Sequence, residues 1–249
     1  QTVGLVSSQT AGLETADLAA LTTTAFASLT TGVVSTLSAP QMGALTSDQV
    51  TALTTAQAAA LTATQAGGIT TVQTAALESG DLNKLATSAF ASLATDVVSG
   101  LNSTQVGALT SAQITALTTA ATQSLTTQQF NSLSSAQVGA LSLVQMKALS
   151  SDQLSGLGTA QAASLGASQL AGLSTANVAA MNTSAFAALS SASLSGLSSA
   201  QVRSLTTDQL SVLTASQASG LGAVQAFGLS STQVGTISSG NLAQLSAAT

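Results

Sequence analysis

An aliphatic side chain stands at every eighth position of this sequence without slippage. The series opens Leu5, Leu13, Leu21, Leu29, Leu37, Leu45, Leu53, Leu61, Ile69, Leu77 and runs in step through Leu125, Met181 and Ile237 to Leu245. That makes 31 anchors over 240 residues. Numbered from the anchor, the octad reads Leu, Ser/Thr, Ser/Thr, variable, Gln, aliphatic, small, then Ala, Gly or Ser. Residues 45–60, LTSDQVTALTTAQAAA, show two copies. A fixed period of this kind is the signature of a repeat architecture.

The period excludes one long helix. Eight steps of 100° rotate each anchor by about 80° from the last, so the leucines spiral round the axis and form no stripe. Coiled coils need 7/2 or 11/3 spacing, and eight fits neither. The octad instead carries both halves of a helix N-terminus. With position 2 as N-cap (Thr46, Thr54, Thr110, Ser134, Ser198), position 5 becomes N3, where Gln49, Gln57, Gln113, Gln137 and Gln201 stand. Ser/Thr followed three residues later by Gln is a capping box, and Leu45 with Val50, or Leu109 with Ile114, supplies the hydrophobic staple. Glu14-Thr15, Glu78-Ser79, Ala86-Thr87 and Pro40 leave open a second register, with the cap at position 3.

The few charges agree with one helix per octad. All eight acids (Glu14, Asp17, Asp48, Glu78, Asp81, Asp96, Asp152, Asp208) lie at positions 2 to 5, and the three bases (Lys84, Lys147, Arg203) at positions 7 or 8. Acid early and base late is the macrodipole preference, here repeated inside single octads. Helices of about six residues are not stable alone, so they must stack. The expected fold is all-α: one continuous solenoid over residues 1–249, built of one- to two-turn helices with anchors inside. The motif at 13–36 returns at 77–100 and, more weakly, from Leu173. Both shifts are whole multiples of four octads, which suits two or four octads per turn. Two are expected, giving a rod on the order of 140 Å at 8–10 Å per helix layer. A β-solenoid is the alternative, since Thr and Val favour strands.

Composition narrows function mainly by exclusion. There is no Cys, His, Trp or Tyr, and only 4% of residues are charged, with a net charge of −5. No His- or Cys-based nucleophile pair and no zinc site of the usual kind is available. Three basic residues do not make a phosphate-neutralising surface, so nucleic acid is not an expected partner. Ser, Thr or Gln interrupts every apolar stretch, so no transmembrane segment is expected. Phe26, Phe90, Phe130, Phe186 and Phe227 are expected as core fillers, and Met42, Met146 and Met181 occupy core positions. Asp17, Asp81, Asn177 and Asn241 replace Gln at position 5 and read as helix-start residues, because no D-x-D-x-D spacing accompanies them. Asn102-Ser103-Thr104 and Asn182-Thr183-Ser184 are sequons. No catalytic, cofactor-binding or metal-binding constellation is expected, and the chain is not expected to be an enzyme.

Stretches such as ALTSAQITALTTA and LSSAQVGALSLVQ resemble the Leu-Ser/Thr-x-x-Gln octapeptide arrays of very long bacterial surface and secreted, adhesin-like proteins. The resemblance implies an extracellular or cell-surface location and a structural or adhesive role. Gln1-Thr2-Val3-Gly4 are octad positions 5 to 8, and Leu245 to Thr249 are positions 1 to 5. The array thus starts and stops inside a repeat, which suggests a segment of a longer chain or a stacking filament subunit. The expected partners are other copies, end to end or laterally, and a cell surface or matrix. An adhesin stalk or a Ser/Thr ice-binding face is the alternative function.

Overall fold

The computed structural model describes residues 6–247. The anchor Leu5, the segment Gln1-Thr2-Val3-Gly4 and residues 248 and 249 lie outside them. Among the described residues there are 28 short α-helices and two 3-10 helices, Ser7–Gly12 and Thr71–Ala76, and no strand. Each octad forms one helical segment, usually of four to six residues, such as Ser47–Thr51 and Thr55–Ala59. The β-solenoid alternative is overturned: the Ser/Thr-x-x-Gln cap outweighs the strand preference of Thr and Val. Among the described residues no helix is long and apolar enough to cross a membrane.

The cap register is position 2 throughout the repeat. Thr46, Thr54, Thr110 and Ser198 hold extended backbone and accept from the N3 amide. Where position 2 is Glu14, Glu78, Ala86 or Ala94, the helix starts at the same place without a side-chain cap. Pro40 falls at N2 behind the N-cap Ser38, where the missing N–H interrupts no intrahelical bond. The extended residues at the anchor and N-cap form a corner, so the next helix leaves in a new direction (Leu117: φ −58°, ψ 137°; Thr118: φ −64°, ψ 159°).

Most octads bury three columns. In the octad beginning at Leu109, the anchor, Gln113 and Ile114 are buried while Thr110, Ala112 and Thr115 are exposed. Met42, Met146 and Met181 take their core places, and Phe26, Phe90, Phe130 and Phe186 are fully buried at position 6. Phe227 departs from expectation: it is 87% exposed. It stands at position 7, outside the three buried columns. All eight acids lie at a helix start, six in the first turn and Glu14 and Glu78 as N-caps. Lys147 and Arg203 lie in last turns.

The chain forms two compact units, Gln1–Leu125 and Thr126–Thr249. Within each, a helix packs on the one three octads later: Ser47–Thr51 on Thr71–Ala76 in the first, Ser151–Ser155 on Thr175–Ala180 in the second. Side-chain bonds reach one coil back along the chain, as in Thr10 to Thr36, Gln49 to Leu21 and Leu18, and Ser204 to Thr175. The recurring offset between a position-5 side chain and its anchor carbonyl is 28 positions, or three and a half octads. One turn takes this length, which corrects the expectation of two octads. In the first unit Gln9 and Asp17 are exposed and Ala25 half-buried, whereas position 5 is buried from Val33 through Ala121. A position-5 side chain is covered once a full coil precedes it.

Candidate functional site: the glutamine seam

The half-octad in the turn length staggers successive coils like courses of brick. The start of one helix stands over the corner between two octads of the coil before, where anchor carbonyls are left free by the end of a helix. The position-5 glutamine occupies this junction and uses both ends of its amide. Gln49 accepts the Thr46 N–H at Oε1 (2.9 Å) and donates from Nε2 to the carbonyls of Leu18 and Leu21, both at 2.8 Å. Gln113 repeats this with Thr110, Leu82 and Leu85, and Gln105 with Asn102, Thr74 and Leu77. In the second unit, Gln201 does so with Ser198, Leu170 and Leu173, and Gln209 with Thr206, Val178 and Met181.

The capping role read from the sequence is thus half of what the residue does. Its other half caps the C-terminal end of a helix one coil earlier. No pattern inside a single octad carries that signal, because the partners lie a full coil away. The buried amide satisfies three main-chain groups at once, and each would be costly if left unpaired. Sequence variation separates the two halves. Gly158 and Gly166 at the N-cap keep only the glutamine side of the box, donating to Gln161 and Gln169 Oε1. Asn177, Asn241 and Ser193 at position 5 keep the bond to the anchor carbonyl of the coil before (Leu149, Leu213 and Leu165). No bond from their side chains to the N-cap amide is present.

Tight contact between coils accounts for several small residues. A Cβ on Gly196 would run into the carbonyl of Ala167, and one on Gly228 into that of Ser199. Asn102 and Asn182 of the two sequons are N-caps accepting the amides of Gln105 and Ala185. Asn182 also donates to the carbonyls of Ser155 and Leu157, at 3.0 and 2.9 Å. A glycan on that nitrogen would disrupt this bonding. On the surface of the second unit, Phe227 and Val224 line a shallow groove with Arg203 and Ser199. Asp17 is exposed, and Asp81 is buried at the seam.

These features define a repeat protein: stacked octapeptide helices fastened coil to coil by a buried glutamine column. Residues 10–55 and 74–111 match the ALTTAQ repeat, about a third of the chain. The same octad continues in phase through the remaining residues. No curated protein matches the sequence.

Proposed function

We propose that this chain is a non-enzymatic structural element of a bacterial extracellular fibre, filament or surface layer. The observation that carries the reading is the seam. One bonding unit, Gln to the N-cap and to two carbonyls of the coil before, recurs in both compact units. A free coil edge presents the anchor carbonyls that the glutamines of a further coil would take, so the arrangement suits indefinite extension. The same edge suits self-association of copies, end to end or laterally. Resemblance to octapeptide arrays of bacterial surface proteins supports the extracellular location, as does a chain with few charged or aromatic residues for proteases to cut. Negative-stain electron microscopy of the concentrated protein tests the reading: elongated assemblies are expected, and only compact, monodisperse globules would overturn it.

A further inference from the structure

The sequons at Asn102 and Asn182 share a motif but not a bonding pattern. Both asparagines are exposed N-caps. Oδ1 of each accepts the N–H three residues on, from Gln105 at 2.9 Å and from Ala185 at 2.8 Å. The amide nitrogens differ. Nδ2 of Asn182 donates to the carbonyls of Ser155 and Leu157 in the coil before. Among the described residues Asn102 bonds through its main-chain groups and Oδ1, and its Nδ2 has no partner. The cause lies at position 5. The anchors Leu77 and Leu157 stand 28 positions before Gln105 and Ala185. Gln105 takes the Leu77 carbonyl at 2.6 Å. Ala185 has no amide to give, and Asn182 reaches back from the N-cap to the Leu157 carbonyl in its place. A glutamine three residues on therefore leaves the nitrogen of Asn102 spare.

We propose that Asn102 is an acceptor for asparagine-linked glycosylation and that Asn182, with the same sequon, is not. In this reaction the carboxamide nitrogen attacks the anomeric carbon of a sugar activated as its diphosphate ester. The C–N bond forms, the bond from that carbon to the diphosphate oxygen breaks, and the diphosphate leaves on its nucleoside or lipid carrier. The nitrogen gives up one of its two protons to the transferase. At Asn102 the fold holds neither proton. The product is still an amide, so Oδ1 goes on accepting the Gln105 N–H and the helix keeps its cap. At Asn182 the nitrogen is committed to two carbonyls. Attachment removes one N–H there and drives a bulky sugar into the contact between coils. Exposure does not separate the two sequons, since Thr104 and Ser184, which complete them, are exposed as well. The separation comes from the residue at position 5. Assembly into a fibre is not needed for it.

The test offers the folded 249-residue chain to a soluble asparagine glycosyltransferase with UDP-glucose and, separately, to an oligosaccharyltransferase with its lipid-linked oligosaccharide. Peptides spanning 98–108 and 178–188 give the rate of each sequon free of the fold. Intact mass tells the two sugars apart, and peptide mapping locates them. Asn102 is expected to be modified in the folded chain, and Asn102→Gln to abolish that signal. Relative to its own peptide, Asn182 is expected to react at least about tenfold more slowly than Asn102, for the loss of main-chain hydrogen bonds. Ala185→Gln supplies the missing seam amide, as Gln201 does for Leu173, and is expected to raise the rate at Asn182 toward that at Asn102. Asn102 left bare by both donors overturns the proposal. So does Asn182 reacting as fast as Asn102, or an Ala185→Gln chain that folds as the parent does and leaves Asn182 unchanged.

Discussion

Gln113 donates from Nε2 to the carbonyl oxygen of Leu85, one coil earlier, at 3.0 Å. The same amide donates to Leu82 at 2.7 Å and accepts the Thr110 N–H at 2.9 Å. One buried side chain thus closes a helix start in its own coil and a helix end in the coil before. Removing it as Gln113→Ala strands the Thr110 amide and the Leu85 carbonyl, while the Leu82 carbonyl keeps the Leu85 N–H. The expected cost is about 2–6 kcal/mol, from about 1–3 kcal/mol for each of the two groups left unpaired. Gln113→Asn should cost less, since the shorter amide still reaches the anchor carbonyl at Asn177 and Asn241. Urea unfolding followed by circular dichroism checks the order: parent, then Asn, then Ala.

The cap itself is separable from the seam. Thr54 Oγ1 accepts the Gln57 N–H at 3.3 Å, and Thr54→Ala should cost about 1 kcal/mol, the usual worth of an N-cap. Gly158 lacks a hydroxyl but keeps the glutamine half of the box, and a Cβ there meets nothing closer than Gln161 Oε1 at 3.4 Å. Gly158→Ser should therefore stabilise by a few tenths of a kcal/mol. The two variants are expected to shift the urea midpoint in opposite directions.

Burial separates phenylalanines that composition alone treats alike. Phe186 is fully buried, and Phe186→Ala should cost about 3–5 kcal/mol for lost transfer energy plus a cavity. Phe227 is 87% exposed, so Phe227→Ala should change the stability by no more than about 0.5 kcal/mol. Equal costs at the two sites would contradict the placement of position 7 outside the core.

Glycines divide by whether a neighbouring coil leans on them. Gly80 has nothing within 4 Å of a built Cβ, so Gly80→Ala should be neutral or stabilising by about 0.5–1 kcal/mol through helix propensity. At Gly196 the carbonyl of Ala167 fills that space, and Gly196→Ala should cost about 1–3 kcal/mol as overpacking. Comparing their melting midpoints reads the contact between coils directly.

The local structure is legible in the sequence because its causes are local. Anchor, N-cap, N3 glutamine and N4 aliphatic all fall within one octad, and the few charges mark helix starts and ends. The coil is not legible. Repeats at multiples of four octads record how copies of the motif are spaced along the chain. The turn length follows instead from the bend at each anchor corner and from how far a glutamine Nε2 reaches. That reach puts the second role of Gln49 and Gln113 out of sight, since Leu21 and Leu85 look like any other anchor. Phe227 escapes because its aromatic character suggests the core while its octad position does not.

The central claim is that a coil takes three and a half octads, and engineered cysteines test it in a chain that has none. A Cβ built on Gly139 lies 3.5 Å from Cβ of Ser164 in the next coil, within the range a disulfide spans. Gly139→Cys with Ser164→Cys is expected to oxidise within the chain under mild conditions, read as a reductant-sensitive gel shift and a mass loss of two hydrogens. Gly139→Cys with Ser155→Cys, spaced by two octads, is expected to stay reduced. Oxidation of the second pair and not the first would contradict the three-and-a-half-octad coil.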